Sequence, residues 1–308
     1  MSVKLTRRAA LATAAAAPLA ASVALPARAD GHAAQAMRSD THRTFSIGDF
    51  EVSTLLSGTR TVDNDPQETF GMNVDAETFQ QVSAANFIPS DKTQFFFTPT
   101  VVKTGSEVVL FDTGLNPGAI TTALASAGIA PEDVNTVVIT HMHGDHIGGI
   151  SGDGGETFAN ARYVTHQAEF DHWNGTDNEN FANKIKPIAE KFEFISDGGS
   201  VTSGVTAMEA TGHTPGHTVY MLESAGEQLV LTADLANHYV WSLAYPDWEV
   251  RFDMDKAAAA AARRTVLGML AADKIPFVGY HMPFPGVGFV DTRDDGFRYV
   301  PESYQFAL

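Results

Sequence analysis

From Thr44 onward the chain alternates apolar and polar positions in short runs. "TFSIGDFEVSTLLSG" (44–58) predicts a pair of strands. Residues 59–94 are polar and weakly periodic, with a short helix expected at 76–84. A stretch that long without its own periodicity suggests a lid or binding loop. "FFFTPTVVKTGSEVVLFDTG" (95–114) predicts two strands joined by Thr104-Gly105-Ser106. A helix follows over 117–127, closed by Gly128, and "NTVVIT" (135–140) predicts a strand that delivers the chain to His141. Next come a short strand at 162–165 and helices around 166–173 and 181–192. Strands are expected in "VTAMEATGHTPGHT" (205–218), "TVYMLES" (218–224) and "QLVLTADL" (228–235). "DKAAAAAARRTVLGML" (255–270) is the clearest helix, with Asp255 as N-cap, and "KIPFVGYHM" and "FRYVPESYQF" predict closing strands. Strands and helices mix throughout, with no internal repeat and no linker-like break. The pattern therefore predicts one domain of the α/β (α+β) class over 44–308.

Composition changes this picture at the N-terminus. Residues 1–29 combine a basic start, Arg7-Arg8, an Ala-rich apolar run and an Ala27-Arg28-Ala29 ending, the make-up of an export signal. The "TRRAAL" run resembles a twin-arginine signal, which implies the twin-arginine export machinery as a partner and a periplasmic or secreted protein exported folded. Residues 30–43 read as a flexible mature N-terminus. Removing 1–29 loses four basic residues and no acidic one, moving the formal charge from −17 to −21. A chain so acidic repels phosphate backbones, so nucleic acid is not an expected partner. With no cysteine, there are no disulfides, no thiolate ligands and no lipoprotein anchor. No apolar span in the body reaches membrane length, so no membrane anchor is expected once the signal is removed. Any metal site must be built from nitrogen and oxygen.

"THMHGDHIGG" (140–149) supplies such donors. It places His141, His143, Asp145 and His146 within six positions, just past a predicted strand. In extended backbone, residues two apart point the same way, so His141 and His143 suit one ion. Gly144 permits a turn that re-aims Asp145 and His146 towards a second. Each pair still lacks partners, and three candidates stand at the ends of apolar runs: His213, Asp234 and His281. With Asp234 bridging, one ion has His141, His143, His213 and Asp234, and the other has Asp145, His146, His281 and Asp234. His166, His172, His217 and His238 lack such placement and are assigned supporting roles, so that His217→Ala is expected to spare metal and activity.

These motifs resemble those of the metallo-β-lactamase superfamily: the H-x-H-x-D-H run, "LFDTG" (110–114), "TGHTPGHT" (211–218), "TADL" (232–235) and the late His281, in the same order. The resemblance spans about residue 44 to the end. It implies an αββα sandwich with a dinuclear site at one edge, and a role for Asp112 in bracing the ligand loop rather than holding metal. Enzymes that use a Cys at the second metal differ here, where Asp145-His146 stands instead. The nuclease and flavodiiron branches carry extra domains for which this chain has no counterpart. "HMPFPGVGFVDTRDDGFRYVP" (281–301) resembles the methyl parathion hydrolase group in particular, which implies arylesterase, lactonase and organophosphate-triester chemistry and, often, a homodimer.

The expected cofactors are two divalent ions, with zinc first and manganese, cobalt or iron also suited to this donor set. A hydroxide bridging them would attack a carbonyl carbon or phosphorus, with Asp145 or Asp234 as proton shuttle. "EFDHW" (169–173) and "FFF" (95–97) offer Trp173 and Phe96 as pocket walls, with Phe284 a weaker candidate beside Trp241, Tyr245 and Trp248. No basic cluster is legible near the site, so the expected substrate is a small neutral ester, lactone or organophosphate triester. The alternatives are a dedicated acyl-homoserine lactonase, a β-lactamase and a non-catalytic periplasmic metal-binding protein.

Overall fold

A computed structural model describes residues 41–307. The export signal and most of the 30–43 segment lie outside the described residues. The domain opens two residues earlier than expected: β1 (His42–Ile47) pairs antiparallel with β2 (Phe50–Leu55), with His42 opposite Leu55 and Arg43 opposite Thr54. The segment expected to be irregular at 59–94 instead begins and ends in strand. β3 (Gly58–Val62) and β4 (Thr93–Phe97) form an antiparallel ribbon that frames α1 (Ala76–Ala85). Pro99 follows that ribbon, so the "FFFTPTVVK" run is two strands rather than one, because proline has no N–H to give a ladder.

β5 (Thr100–Lys103), β6 (Val108–Phe111), α2 (Pro117–Ser126), β7 (Thr136–Val138) and α3 (Gly144–Ile147) follow. A small hairpin of β8 (Ser151–Gly152) and β9 (Gly155–Glu156) leads to β10 (Arg162–His166), α4 (Gln167–Asn174) and β11 (Phe192–Ile195). The helix expected over 181–192 is a wide π turn at Phe181–Ile185 followed by a 3₁₀ stretch at Lys186–Lys191. Pro187 removes a helical donor there, and Phe192 already belongs to β11. The second half runs β12 (Ser200–Thr202), β13 (Val205–Glu209), β14 (Thr218–Ser224), β15 (Glu227–Ala233), α5 (Lys256–Asp273), β16 (Phe277–Gly279), β17 (Val287–Arg293) and β18 (Gly296–Pro301). β17 was not legible as a strand. It pairs antiparallel with β16 and β18.

Two seven-stranded sheets result, ordered β1-β2-β5-β6-β7-β10-β11 and β12 through β18 in sequence. Period-two alternation sorts their side chains into three cores. Val109, Phe111, Val138 and Val164 face Tyr220, Leu222, Leu229 and Leu231 between the sheets. Leu110, Val137 and Ile139 point the other way, onto Ile120 and Leu124 of α2. Val219, Val230 and Phe277 likewise meet Val266, Leu267 and Leu270 of α5. Strands buried on both faces read as continuous apolar runs, which is why "VVLF" and "LVL" show no alternation. The architecture is the expected αββα sandwich.

Candidate metal centre

The site gathers where strands β6, β7, β15 and β16 end. β6 runs parallel to β7, and β15 to β16, so the loops leaving these strands emerge at one edge of the sandwich. Two residues there hold left-handed backbone: Asp112 (φ +62°) after β6 and Ala233 (φ +45°) before Asp234. Non-glycine residues pay for that conformation, and they keep it where the surroundings fix the chain. At Asp112 the turn drives the carboxylate beneath the ligand loop. It accepts from Thr140 N (2.9 Å), Thr140 Oγ1 (2.8 Å) and His146 Nδ1 (2.8 Å). Thr113 donates its N–H and hydroxyl to His146 O, both at 2.7 Å. Gly148 and Gly149 close the loop because a Cβ at either would lie 2.2 and 2.1 Å from the Leu115 and Thr113 carbonyl oxygens.

The seven proposed ligands come together in two groups of donors. Nε2 of His141, Nδ1 of His143 and Nε2 of His213 are 3.1, 3.2 and 3.1 Å apart pairwise. Three nitrogens about 2.0–2.1 Å from one ion at tetrahedral angles stand about 3.3–3.4 Å apart. The triangle therefore fits an ion. The second group holds Asp145, His146 and His281. Asp145 Oδ2 lies 3.6 Å from His146 Nε2 and 3.4 Å from His281 Nε2. Asp234 reaches both groups. Its Oδ2 is 3.3 Å from His213 Nε2 and 3.2 Å from His281 Nε2, and its Oδ1 is 3.2 Å from His146 Nε2. His146 Nε2 and Asp234 Oδ1 are buried without a hydrogen-bond partner. Unpaired buried polar atoms are costly, and a shared ion is the partner that would satisfy both.

Four of the five rings are aimed by their other nitrogen, the usual support of a ligating imidazole, His146 by Asp112 as above. His141 Nδ1 meets Thr140 Oγ1 (3.2 Å), His213 Nδ1 meets Asp253 Oδ1 (3.0 Å), and His281 Nδ1 donates to Phe96 O (2.8 Å). Several supports were missed in the sequence. Asp253 also takes Arg263 Nη1 at 2.8 Å, a fully buried pair. Asn237 Nδ2 donates to Asp234 Oδ2 at 2.8 Å. The buried Glu169 accepts from Met142 N, Trp173 Nε1, Thr214 Oγ1 and Gly216 N at 2.6–2.9 Å, and so ties the 140–146 loop to the 211–217 loop. His217 stands behind the donors, in the supporting role expected of it. Its Nε2 accepts from Asp234 N (3.1 Å) and its Nδ1 donates to Ala210 O (2.9 Å), so it sets where Asp234 sits. His238 and His166 stay away from the donors, taking up loop and helix N–H groups.

A cavity of about 450 Å³ opens onto both groups, walled by Phe95, Phe97, Phe252 and Leu115. Phe96, the residue chosen from the sequence, faces a different cavity of about 300 Å³ with Trp241 and His238. Neighbours on a strand point to opposite faces, so the ribbon turns Phe95 and Phe97 inward and Phe96 away. Trp173 is buried edge-on to His143, its indole N–H spent on Glu169, and Phe284 lies outside the cavity wall. Two arginines, Arg60 and Arg251, also line the cavity, where the sequence showed no basic cluster.

A sequence model of the metallo-β-lactamase superfamily matches residues 98–276, more than half of the 308-residue chain. The chain belongs to that superfamily. An N-acyl homoserine lactonase of Bacillus cereus is 28% identical over 112 residues, 36% of this chain and 42% of that protein. The metallo-β-lactamase domain-containing protein 1 of Mus musculus is 56% identical over 45 residues, 14% of this chain and 17% of its own length. The chain thus spans less than half the length of these curated relatives. Among solved structures, AidC, a dizinc quorum-quenching lactonase, is 27% identical with a TM-score of 0.79 over 86% of this chain and 99% of its own. The hydrolase AbOPH is similar in fold, at TM-score 0.80 and 23% identity over 87% and 99%.

In this metallo-β-lactamase domain the charges around the donors oppose one another. Burial pushes each donor histidine down. It leaves His141 well below the usual range, helped by its neighbour His146, and takes His143 to about 3, helped by His213. At His146 burial is outweighed by Asp234, Asp112 and Asp145, which hold its pKa well above the ordinary value. Burial is likewise outweighed at His213, raised to about 9 by Asp234 and Asp253, and at His281, raised by Asp234 and Asp145. Burial opposes the charged form of Asp234, yet His281 and His146 keep its pKa well below the usual carboxylate range. Once its histidines give up their protons, the set offers five nitrogen lone pairs and two carboxylates, a donor set suited to dications.

Proposed function

We propose that this protein is a dinuclear metal-dependent hydrolase of carboxylic esters, with lactones as its preferred substrates. One observation carries the dinuclear reading: a single buried carboxylate, Asp234, lies within 3.3 Å of nitrogen donors from both groups. Bound divalent ions would supply Lewis-acid polarisation of a carbonyl oxygen and acidification of water. His141, His143 and His213 would hold one ion and Asp145, His146 and His281 the other, with Asp234 between them.

Other steps fall to the chain itself. Asp234 is 4% exposed at its side chain and committed to Asn237 and the histidines, whereas Asp145 is 24% exposed and lines the cavity. Asp145 is therefore the carboxylate placed to take a proton at Oδ1, with Oδ2 left to the donor group, and return it to the leaving alcohol. Phe95, Phe97, Phe252 and Leu115 exclude water from the acyl or alcohol portion of the substrate. The lactone preference draws support from the lactonases of similar sequence and fold. Phosphotriesters, suggested by the C-terminal "HMPFPGVGF" run, are the second choice.

The test is metal content per chain together with rates on an acyl-homoserine lactone, an aromatic lactone, a nitrophenyl ester, a methyl phosphotriester and a β-lactam, before and after chelation. About two ions per chain and chelator-sensitive turnover, fastest on a lactone, are expected. Turnover that survives chelation, or fewer than one ion per chain, would overturn the dinuclear reading. A phosphotriester or β-lactam as fastest substrate would overturn the lactone preference alone.

A further inference from the structure

The cavity wall carries a charge pattern that catalysis at the donors does not use. The described residues contain eight arginines. Six of them, Arg43, Arg162, Arg263, Arg264, Arg293 and Arg298, lie within 4.0 Å of a carboxylate oxygen. The two that do not are Arg60 and Arg251, and both line the metal cavity. In a chain of formal charge −17, with 37 acidic residues for 20 basic, an unpaired guanidinium is the exception. Two line one cavity, whose wall among the described residues has no carboxylate other than Asp145 and Asp234, both already in the donor set.

The fold holds both arginines at a defined place. Arg60 is directly opposite Phe95 in the β3–β4 ladder and shares its face, as Val62 shares that of Thr93. Arg251 lies over the Phe252 ring, 5.5 Å from guanidinium carbon to centroid. Phe252 meets Phe95 edge-on at 6.2 Å, and Phe95 meets His281 edge-on at 5.7 Å. The chain of Arg251 is anchored where its N–H donates to Thr69 O at 2.8 Å. Two aromatic rings thus stand between Arg251 and His281, and Arg60 flanks the inner of those rings.

We infer that Arg60 and Arg251 form an oxyanion subsite at the outer end of the metal cavity, so that the substrate is an ester or lactone bearing an anionic group remote from its scissile bond. The inference deepens the hydrolase reading and rests on it for the reaction, while the subsite rests on the arginines alone. A guanidinium offers a planar fork of donors that matches a carboxylate, sulfonate or phosphate ester, and a ring beneath it keeps the fork oriented. Phe95 and Phe252 would then pack against the apolar segment joining the two ends of the substrate.

The experiment pairs two esters of equal reach, 4-nitrophenyl pentanoate and mono-4-nitrophenyl glutarate, on the metal-loaded full chain. The anionic ester is expected to have the higher kcat/KM. Its advantage over the neutral ester should fall about tenfold or more in the R60Q/R251Q double variant, through KM. Arg264→Gln, which removes a paired surface arginine, should leave the ratio where it was. Added salt should lower the ratio in the unmodified protein, because screening weakens the local attraction. A ratio that rises with salt, or is the same in the double variant, overturns the subsite. Calorimetric titration with 4-nitrobenzenesulfonate reads the arginines without turnover. Saturable binding lost in the double variant supports the subsite even where neither ester is cleaved, a result that would sink the hydrolase reading instead. No binding together with no charge preference overturns the subsite.

Discussion

The two donor groups share Asp234, yet they are built to different tolerances. In the first, His141, His143 and His213 bring their nitrogens to 3.1–3.2 Å of one another, and His141 and His213 are almost fully buried. In the second, Asp145 stands 3.4–3.6 Å from the histidine nitrogens on a one-turn helix, with about a quarter of its side chain open to the cavity. The first is braced by the Asp253–Arg263 pair and by Glu169 behind the loops. The second leans on Asp112, a backbone carbonyl and the Tyr280 hydroxyl, which donates to Asp145 O. The comparison teaches a division of labour. On the proposed reading the first is the tighter clamp, and the second, with its exposed carboxylate, is where substrate and proton would come and go.

The most severe way to break that comparison is to remove what the halves share. Asp234→Asn keeps the shape but takes away the negative charge facing four histidines. Both ions should be lost or weakened together, with turnover falling on the order of a thousandfold, equivalent to about 4 kcal/mol of transition-state stabilisation. Metal analysis after gel filtration checks this. Retention of one full equivalent would show that the clamp holds its ion without the bridge, and Asp234 would then belong to one half only.

A gentler probe is pH. A proton and an ion compete for the same lone pair, so a histidine whose pKa is raised in the metal-free protein gives up its proton only at higher pH. The second group has two such histidines, His146 and His281, whereas the first has one, His213, beside His141 and His143, which burial keeps unprotonated. Affinity should therefore climb with pH in both halves and be lost as pH falls. The loss should be steeper in the second, up to about a hundredfold per unit against about tenfold. Metal titrations at pH 6, 7 and 8 with proton release followed in parallel would show it. Equal slopes would erase the electrostatic difference between the halves.

The ligands and their surroundings differed in how far the sequence disclosed them. The ligands were legible because four lie in ten residues and the other three end apolar runs. The supports Asp253 and Asn237 and the cavity arginines Arg251 and Arg60 were not, since they belong to 236–254 and 59–94, stretches with no period to say which face they serve. β3 pairs with β4 across a gap of 30 residues, and nothing local signals a partner that distant. The choice of Phe96 over Phe95 and Phe97 failed for a related reason. A strand's alternation is visible in sequence, but which parity faces the site depends on register, and a shift of one residue inverts it. Glu169 opens the "EFDHW" run, from which the sequence singled out only Trp173. Only the packing of α4 against two loops reveals it as their common acceptor.

The smallest expected effect sharpens the comparison most, because it touches one half alone. Tyr280 packs its ring on His146, with centroids 4.0 Å apart, while its hydroxyl donates to Asp145 O. Tyr280→Phe keeps the ring and removes the one hydrogen bond that steadies the Asp145 backbone from the opposite sheet. A hydrogen bond of this kind is worth about 0.5–1.5 kcal/mol. The second ion should bind roughly two- to tenfold more weakly, with the first unaffected, in competition against a fluorescent chelator. An equal weakening of both would mean that Asp145 is coupled through Asp234 to the clamp. The open half would then be held by the closed one rather than by its own supports.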